Sequence, residues 1–354
     1  MEVCDTVSLA PPDWGAVRAR RWARSHLAER APASSLADVV RDCCGIHAQV
    51  MSSAELQLAA RVDGITQADV REALWERRSL AKTWTLRGTL HLHPADELGL
   101  WTAARRAVPS DADPELVAAI GDALRGQRLT REQLADAVVA RVAAAPREEL
   151  ESGWGYHVGD AAVEGLLCFG PPQGQKVTFV HTDDWVGAQR AWEPEGALRE
   201  VARRFADAYG PTGPRQFREW FGARGLAPDR ARALFADLTP PAKTLADARS
   251  TVRLLPEYDV YVMGFREREH LVPPAVRAQV AAHGKGRYEG PAGTPFLLVD
   301  GLCAGIWRRR KTARRVELTV EPARKLTREE RAGLEDEAER IGAFLGLEPA
   351  LALS

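Results

Sequence analysis

Ala81-Lys82-Thr83-Trp84-Thr85-Leu86-Arg87-Gly88-Thr89-Leu90-His91-Leu92-His93 alternates in character and breaks at Gly88. That pattern predicts two short strands around a tip. The segments before it decide the fold. Val17 to Arg30 reads as a helix with Val17, Trp22 and Leu27 among its apolar positions. Ser34 and Ser35 are placed to cap a second helix, Leu36 to Cys44, whose Leu36, Val39, Val40 and Cys43/Cys44 recur at helical spacing. Ser52 to Ala60 reads as a third helix. Thr66 opens a fourth, with Asp69 standing where a capping box carries Glu or Gln, and with Leu74 and Trp75 as core candidates. Three or four helices ending in a two-stranded ribbon outline a winged helix, a variant of helix-turn-helix.

The outline recurs by layout rather than by letter identity. Thr130 caps Arg131 to Ala143, Val158 to Cys168 reads as a compact apolar helix, and Gln175 to His181 alternates like a wing strand. A third copy runs through Leu198 to Tyr209, Pro214 to Phe221 and Pro228 to Leu238, with Lys243 to Leu255 as its paired strands. From Arg253 the texture changes. Thr294 to Val299 and Cys303 to Trp307 flank Asp300-Gly301, a strong hairpin signal, and Arg315 to Val320 alternates as another strand. Thr327 opens a last helix to Leu345, with Glu329 and Glu330 near its start and Leu334, Ile341 and Leu345 on its apolar face. The expected fold class is α+β, mainly α: tandem winged-helix units over 14–110, 111–190 and 191–250, then a C-terminal β-barrel with a closing helix over 251–350.

Bulk properties narrow the function classes. At 354 residues the chain is too long for one small core. No stretch approaches the roughly 18 apolar residues of a membrane helix. Met1 to Ala10 carries Glu2 and Asp5 without a basic cluster, unlike a secretory signal, so a cytoplasmic protein is expected. The five cysteines (Cys4, Cys43, Cys44, Cys168, Cys303) have no C-x-x-C spacing, which points to structural thiols and no metal site. Net charge is only −1, yet Arg308-Arg309-Arg310-Lys311 and Arg314-Arg315 place six cations within eight residues. Only six of the 48 cations are lysine. Arginine is the better phosphate fork, although a GC-rich genome produces the same bias.

One short run carries polar chemistry. In Gly45-Ile46-His47-Ala48-Gln49, the His47 and Gln49 side chains share a direction only on extended or irregular backbone, since on a helix they diverge by roughly 200°. Held that way, the pair can orient one water. The plainer reading is a polar helix end that caps backbone carbonyls. His91 and His93 alternate on one strand face, but no third ligand stands at useful spacing for a metal.

Four motifs in order resemble a known family. They are the x-Ala48-Gln49 run, Thr83-Trp84-x-x-Arg87-Gly88-Thr89-Leu90-His91, and Leu254-Leu255-Pro256-x-x-Asp259-x-Tyr261 with Gly264-x-Arg266. The fourth is Val299-Asp300-Gly301-x-x-x-Gly305-x-Trp307-Arg308. Over about residues 14 to 345 the chain resembles the winged-helix DNA-binding family that contains the AlkZ and YcaQ DNA glycosylases. The resemblance implies three winged-helix units and a barrel set around duplex DNA, and excision of bulky or cross-linked N7-alkylpurine adducts. Its catalytic signature is Gln-x-Gln; here the second position is Gln49 and the first is His47.

What this implies is a monofunctional DNA glycosylase without a cofactor, acting as a monomer on double-stranded DNA with N7-alkylpurine lesions and found at the nucleoid when at work. N7 alkylation makes the purine a cationic leaving group, so a placed water and stabilisation of an oxocarbenium-like sugar matter more than a strong base. His47, with an ordinary pKa of roughly 6.5, polarises the water, and Gln49 orients it. Lys82 is the only lysine of the first unit, which argues against a Schiff-base step. Arg87, His91, Arg266, Arg308, Arg309, Arg310 and Lys311 are the candidate DNA contacts; Asp259 and Arg266 read as internal pairing. The alternative is a non-catalytic winged-helix regulator or adduct-binding protein. A nucleotide-modifying enzyme is disfavoured because the chain has no Gly-rich phosphate loop or metal motif.

Overall fold

The computed structural model describes residues 13–223, 225–238, 251–264, 268–283 and 290–354. Its first part comprises helices Trp14–Arg24, Leu36–Asp42, Met51–Arg61 and Gln67–Trp75 with strands β1 (Ile46–His47), β2 (Leu80–Trp84) and β3 (Leu90–Pro94). The first helix is shorter than its apolar spacing predicts, because His26 adopts a positive φ of 54° just beyond it. Ser35 makes no side-chain cap; a 3-10 turn, Ala33–Ser35, leads into the second helix instead. That helix stops at Asp42 because Cys44 and Gly45 take φ of 58° and 95° and turn the chain into β1. Gly45 has no alternative: a Cβ there would stand 2.5 Å from Cε1 of His93. Thr66 and Asp69 do form a reciprocal capping box.

The middle of the chain holds helices Leu98–Arg106, Pro114–Leu124, Arg131–Val139, Arg147–Glu151 and Tyr156–Val163. Strands β4 (Arg128–Thr130), β5 (Leu167–Gln173) and β6 (Lys176–His181) form a sheet of order β4-β6-β5. The helix expected over Val158 to Cys168 ends early: Gly165 has φ of 81°, and Cys168 pairs with Val180 inside β5. Three further helices follow, Pro194–Tyr209, Pro214–Phe221 and Pro228–Phe235. Of the paired strands expected over Lys243 to Leu255, residues 243–250 lie outside the described residues. The remainder is β7 (Val252–Leu255), which pairs with β8 (Phe296–Val299) rather than with a strand of the third unit.

At the C-terminus β9 (Leu302–Lys311), β10 (Arg315–Pro322) and β11 (Glu348–Leu353) complete a sheet of order β11-β10-β9-β8-β7. It is a curled half-barrel, not the closed barrel expected. Among the described residues β7 and β11 are its edges. Helix Arg328–Leu345, started by a Thr327/Glu330 capping box, makes the crossover that lets β11 run parallel to β10.

The β2–β3 ribbon stands where three apolar cores meet. Leu92 packs with Val39, Leu58 and Leu297, and Leu86 belongs with Trp101, Phe205 and Phe217. Trp84 and Leu90 join Ile120 and Phe179. This shared burial immobilises the ribbon against three neighbours at once, which is what holds its polar residues in place. Cys43, Cys44, Cys168 and Cys303 are all buried free thiols, held protonated by desolvation.

Candidate active site

Backbone geometry gives His47 its place. β1 lies against β3, with Ile46 opposite Leu92 and His47 opposite His91. Pairing extends one residue further, since the Ala48 N–H donates to the Leu90 carbonyl at 2.7 Å. His47 therefore leaves extended backbone, and Gln49 stands on the bend just beyond it. They differ in exposure: His47 is 4% accessible, whereas Gln49 is exposed. Gln49 Oε1 accepts from the Leu90 N–H at 3.3 Å. Only an oxygen can accept there, so the amide's orientation is set and Nε2 faces away from the backbone.

The surroundings of His47 are aromatic and cationic. Its ring meets His91 edge-on at 5.4 Å between centroids and lies 5.5 Å from Tyr258. Burial, then the charges of Arg87 and Lys82, push His47 down to about 4. His91 is driven well below the ordinary histidine range by burial first, then by His47, Arg87 and His93. Burial pushes His93 down to about 3. All three imidazoles are thus neutral at pH 7. The Nδ1 of His47 has no hydrogen-bond partner among the described residues.

A buried scaffold fixes the His47 backbone. Gln57 Nε2 donates to the His47 carbonyl at 3.0 Å, while its Oε1 accepts from the Val260 N–H at 3.2 Å. One turn along the same helix, Arg61 makes a bidentate pair with Asp259 at 2.7 and 2.8 Å, both side chains wholly inaccessible. Asp259 also caps the single turn Val260–Met263 by accepting from the Tyr261 N–H. Asp259 is therefore structural, and its partner is Arg61; Arg266 lies outside the described residues. Gln57 and Arg61 were not singled out in the sequence. Their signal was two long polar side chains, four apart, inside the otherwise apolar stretch Leu56 to Val62.

The candidate DNA contacts are scattered. Arg87 does not project from the tip. It has φ of 54°, folds back to donate to the Trp220 carbonyl at 3.3 Å, and lies close enough to His47 and His91 to lower both. Arg308, Arg309 and Arg310 each face a carboxylate, of Glu321, Glu257 and Glu317 respectively. Lys311 and Arg314 at the β9–β10 turn form no ion pair among the described residues. Lys82 belongs to the row Lys82–Leu92–Ile46, the opposite sheet face from His91 and His47. Its ammonium sits 4.9 Å from the Phe169 ring, and burial pushes it down to about 8.

The architecture and this sheet have counterparts among known proteins. The family model described as "DNA glycosylase AlkZ-like" matches residues 40–344. The chain belongs to the AlkZ-like DNA glycosylase family. It is accordingly a DNA glycosylase, and DNA is the polymer on which it acts. An interstrand DNA cross-link repair glycosylase of Streptomyces sahachiroi is 30% identical over 331 residues, covering 83% of this chain and 87% of that relative. The solved structure of Streptomyces sahachiroi DNA glycosylase AlkZ superposes with a TM-score of 0.80 at 27% identity, covering 97% of this chain and 100% of that one. No helix among the described residues is long and apolar enough to cross a membrane.

Proposed function

We propose that this AlkZ-like glycosylase is monofunctional, hydrolysing the N-glycosidic bond of N7-alkylated purines, with bulky natural-product adducts as its lesions and self-resistance as its role. The observation that carries this reading is a neutral, buried His47, its Nδ1 without a partner among the described residues, two positions before a Gln49 amide clamped by the Leu90 N–H. In the reaction the water oxygen bonds to C1′ and the C1′–N9 electron pair leaves with the purine, cancelling its positive charge. The water's proton passes to His47, whose low basicity suffices because the leaving group needs little push. Gln49 Nε2, which faces away from the backbone, orients the water by donating to its oxygen, and the second lone pair of Oε1 faces the developing oxocarbenium charge.

The position of Lys82 supports hydrolysis without a lyase step, since its side chain starts from the other face of the sheet. The relative named for interstrand cross-link repair supports cross-linked purines as a substrate class for this chain. Winged-helix units over 14–110, 111–190 and 191–250 and the C-terminal unit over 251–350 are the proposed division of a monomer that lies along duplex DNA. Arg87, Arg266 and the Arg308, Arg309, Arg310 and Lys311 edge are its proposed contacts. The test is incubation with duplex DNA carrying 7-methylguanine or a bulky N7 adduct, followed by hot alkali. Strand breaks at the lesion are expected only after alkali. Breaks without alkali would mean a lyase, and no breaks with binding retained would mean an adduct-binding protein.

A further inference from the structure

His91, expected from the sequence to face DNA, is 1% accessible and stands opposite His47 in the sheet. Its Nδ1 lies 3.1 Å from the Thr89 carbonyl. A carbonyl can only accept, so Nδ1 carries the ring proton, and Nε2 of this neutral imidazole is a bare acceptor. That Nε2 is buried and has no partner among the described residues. The same holds for Nδ1 of His47, whose ring meets His91 edge-on at 5.4 Å. Buried polar atoms are almost always satisfied, and with the His47 proton on Nε2 both orphans are acceptors that one water can bond. His91 also lines a narrow cleft with Leu86, Arg87, Trp220 and Met263.

We propose that His91 is a second catalytic imidazole, whose Nε2 accepts one O–H of the attacking water while His47 accepts the other. This rests on the hydrolytic reading above. A water with both hydrogens held by two fixed acceptors keeps two lone pairs, one to accept from Gln49 Nε2 and one to point at C1′. As the oxygen bonds to C1′ and the C1′–N9 pair departs with the purine, the proton moves to His47; the His91 bond holds the nascent hydroxyl in line. Burial first, with the nearby charge of Arg87 adding to it, keeps both rings neutral and able to accept.

The test is single-turnover release of 7-methylguanine from duplex DNA by the full chain, with affinity for the lesion duplex measured in parallel. His91→Phe keeps a packed ring and removes the acceptor. Its rate is expected to fall about 100-fold or more, with affinity within about two-fold of wild type. His91→Gln restores an acceptor near the Nε2 position and is expected to recover most of the rate, which a merely structural role for the ring would not allow. An active wild type with an equally active His91→Phe overturns the assignment alone, as does a loss of affinity that matches the loss of rate. A wild type that releases no base overturns the hydrolytic reading and the assignment with it.

Discussion

Replacing Asp259 by alanine should cost this protein a large share of its stability. The Arg61–Asp259 pair is wholly inaccessible, with bonds of 2.7 and 2.8 Å. Removing one member leaves a buried guanidinium without its counter-charge, which costs about 3–5 kcal/mol. Lost capping of the Val260 turn adds to this by about 1 kcal/mol. Total stabilities run to about 5–15 kcal/mol, and with an unfolding entropy of about 2.1 cal/mol/K per residue each kcal/mol moves the Tm of a chain this long by about 1–1.5 °C. Urea and thermal unfolding of Asp259→Ala should therefore show a loss of about 4–6 kcal/mol and a Tm lower by about 4–9 °C. The paired change Arg61→Met/Asp259→Leu should recover most of it, because desolvating two charges offsets their attraction. Excision should fall with Asp259→Ala as well, since Gln57 joins the His47 carbonyl to the Val260 N–H. A loss under 1 kcal/mol would refute the view that this pair anchors the site.

Three other perturbations have defined outcomes. Gly45→Ala should lower stability by about 2 kcal/mol or more, read by urea unfolding, because φ of 95° and the nearby His93 ring both reject a Cβ. The buried imidazoles should make stability fall with acid. His47 and His93 bind protons in the unfolded chain below about 6.5 but in the folded protein only near 4 and 3. Stability that is present above pH 6.5 is thus lost as pH falls towards 4, by on the order of 1.4 kcal/mol per pH unit for each ring; flat urea midpoints over that window would contradict their burial. Lys311→Gln and Arg314→Gln should each reduce the slope of log affinity against log salt by about 1 on undamaged duplex. Arg310→Gln, which removes a charge already facing Glu317, should change it less.

The sequence was most legible where local chemistry decides. Thr66, Thr130 and Thr327 start their helices with reciprocal capping bonds, and Asp300-Gly301 sits in the turn between β8 and β9 with φ of 51° and 75°. At His47 the sequence allowed extended backbone or a polar helix end, and the pairing of β1 with β3 decides for the first. What escaped depends on long-range pairing. The alternation in Val252–Leu255 is the same whether its neighbour is a wing or β8, and only the partner strand 44 residues on decides. A barrel and a half-barrel likewise share one strand pattern. Arg61 meets Asp259 across 198 residues, and no local period marks that contact. Arg87 at a glycine turn resembled an exposed tip, yet the Pro214–Phe221 helix, distant in sequence, covers it.

The central claim is that His47 and Gln49 act on the water in hydrolysis of N7-alkylpurine nucleotides. The most direct measurement is the single-turnover rate of 7-methylguanine release by wild type, His47→Ala and Gln49→Ala, set beside the affinity of each for the same duplex. The account predicts release by wild type, and a fall of about 100-fold or more in rate for each variant, with affinity nearly unchanged. Variants that excise at the wild-type rate, or that lose affinity in proportion to rate, would contradict it.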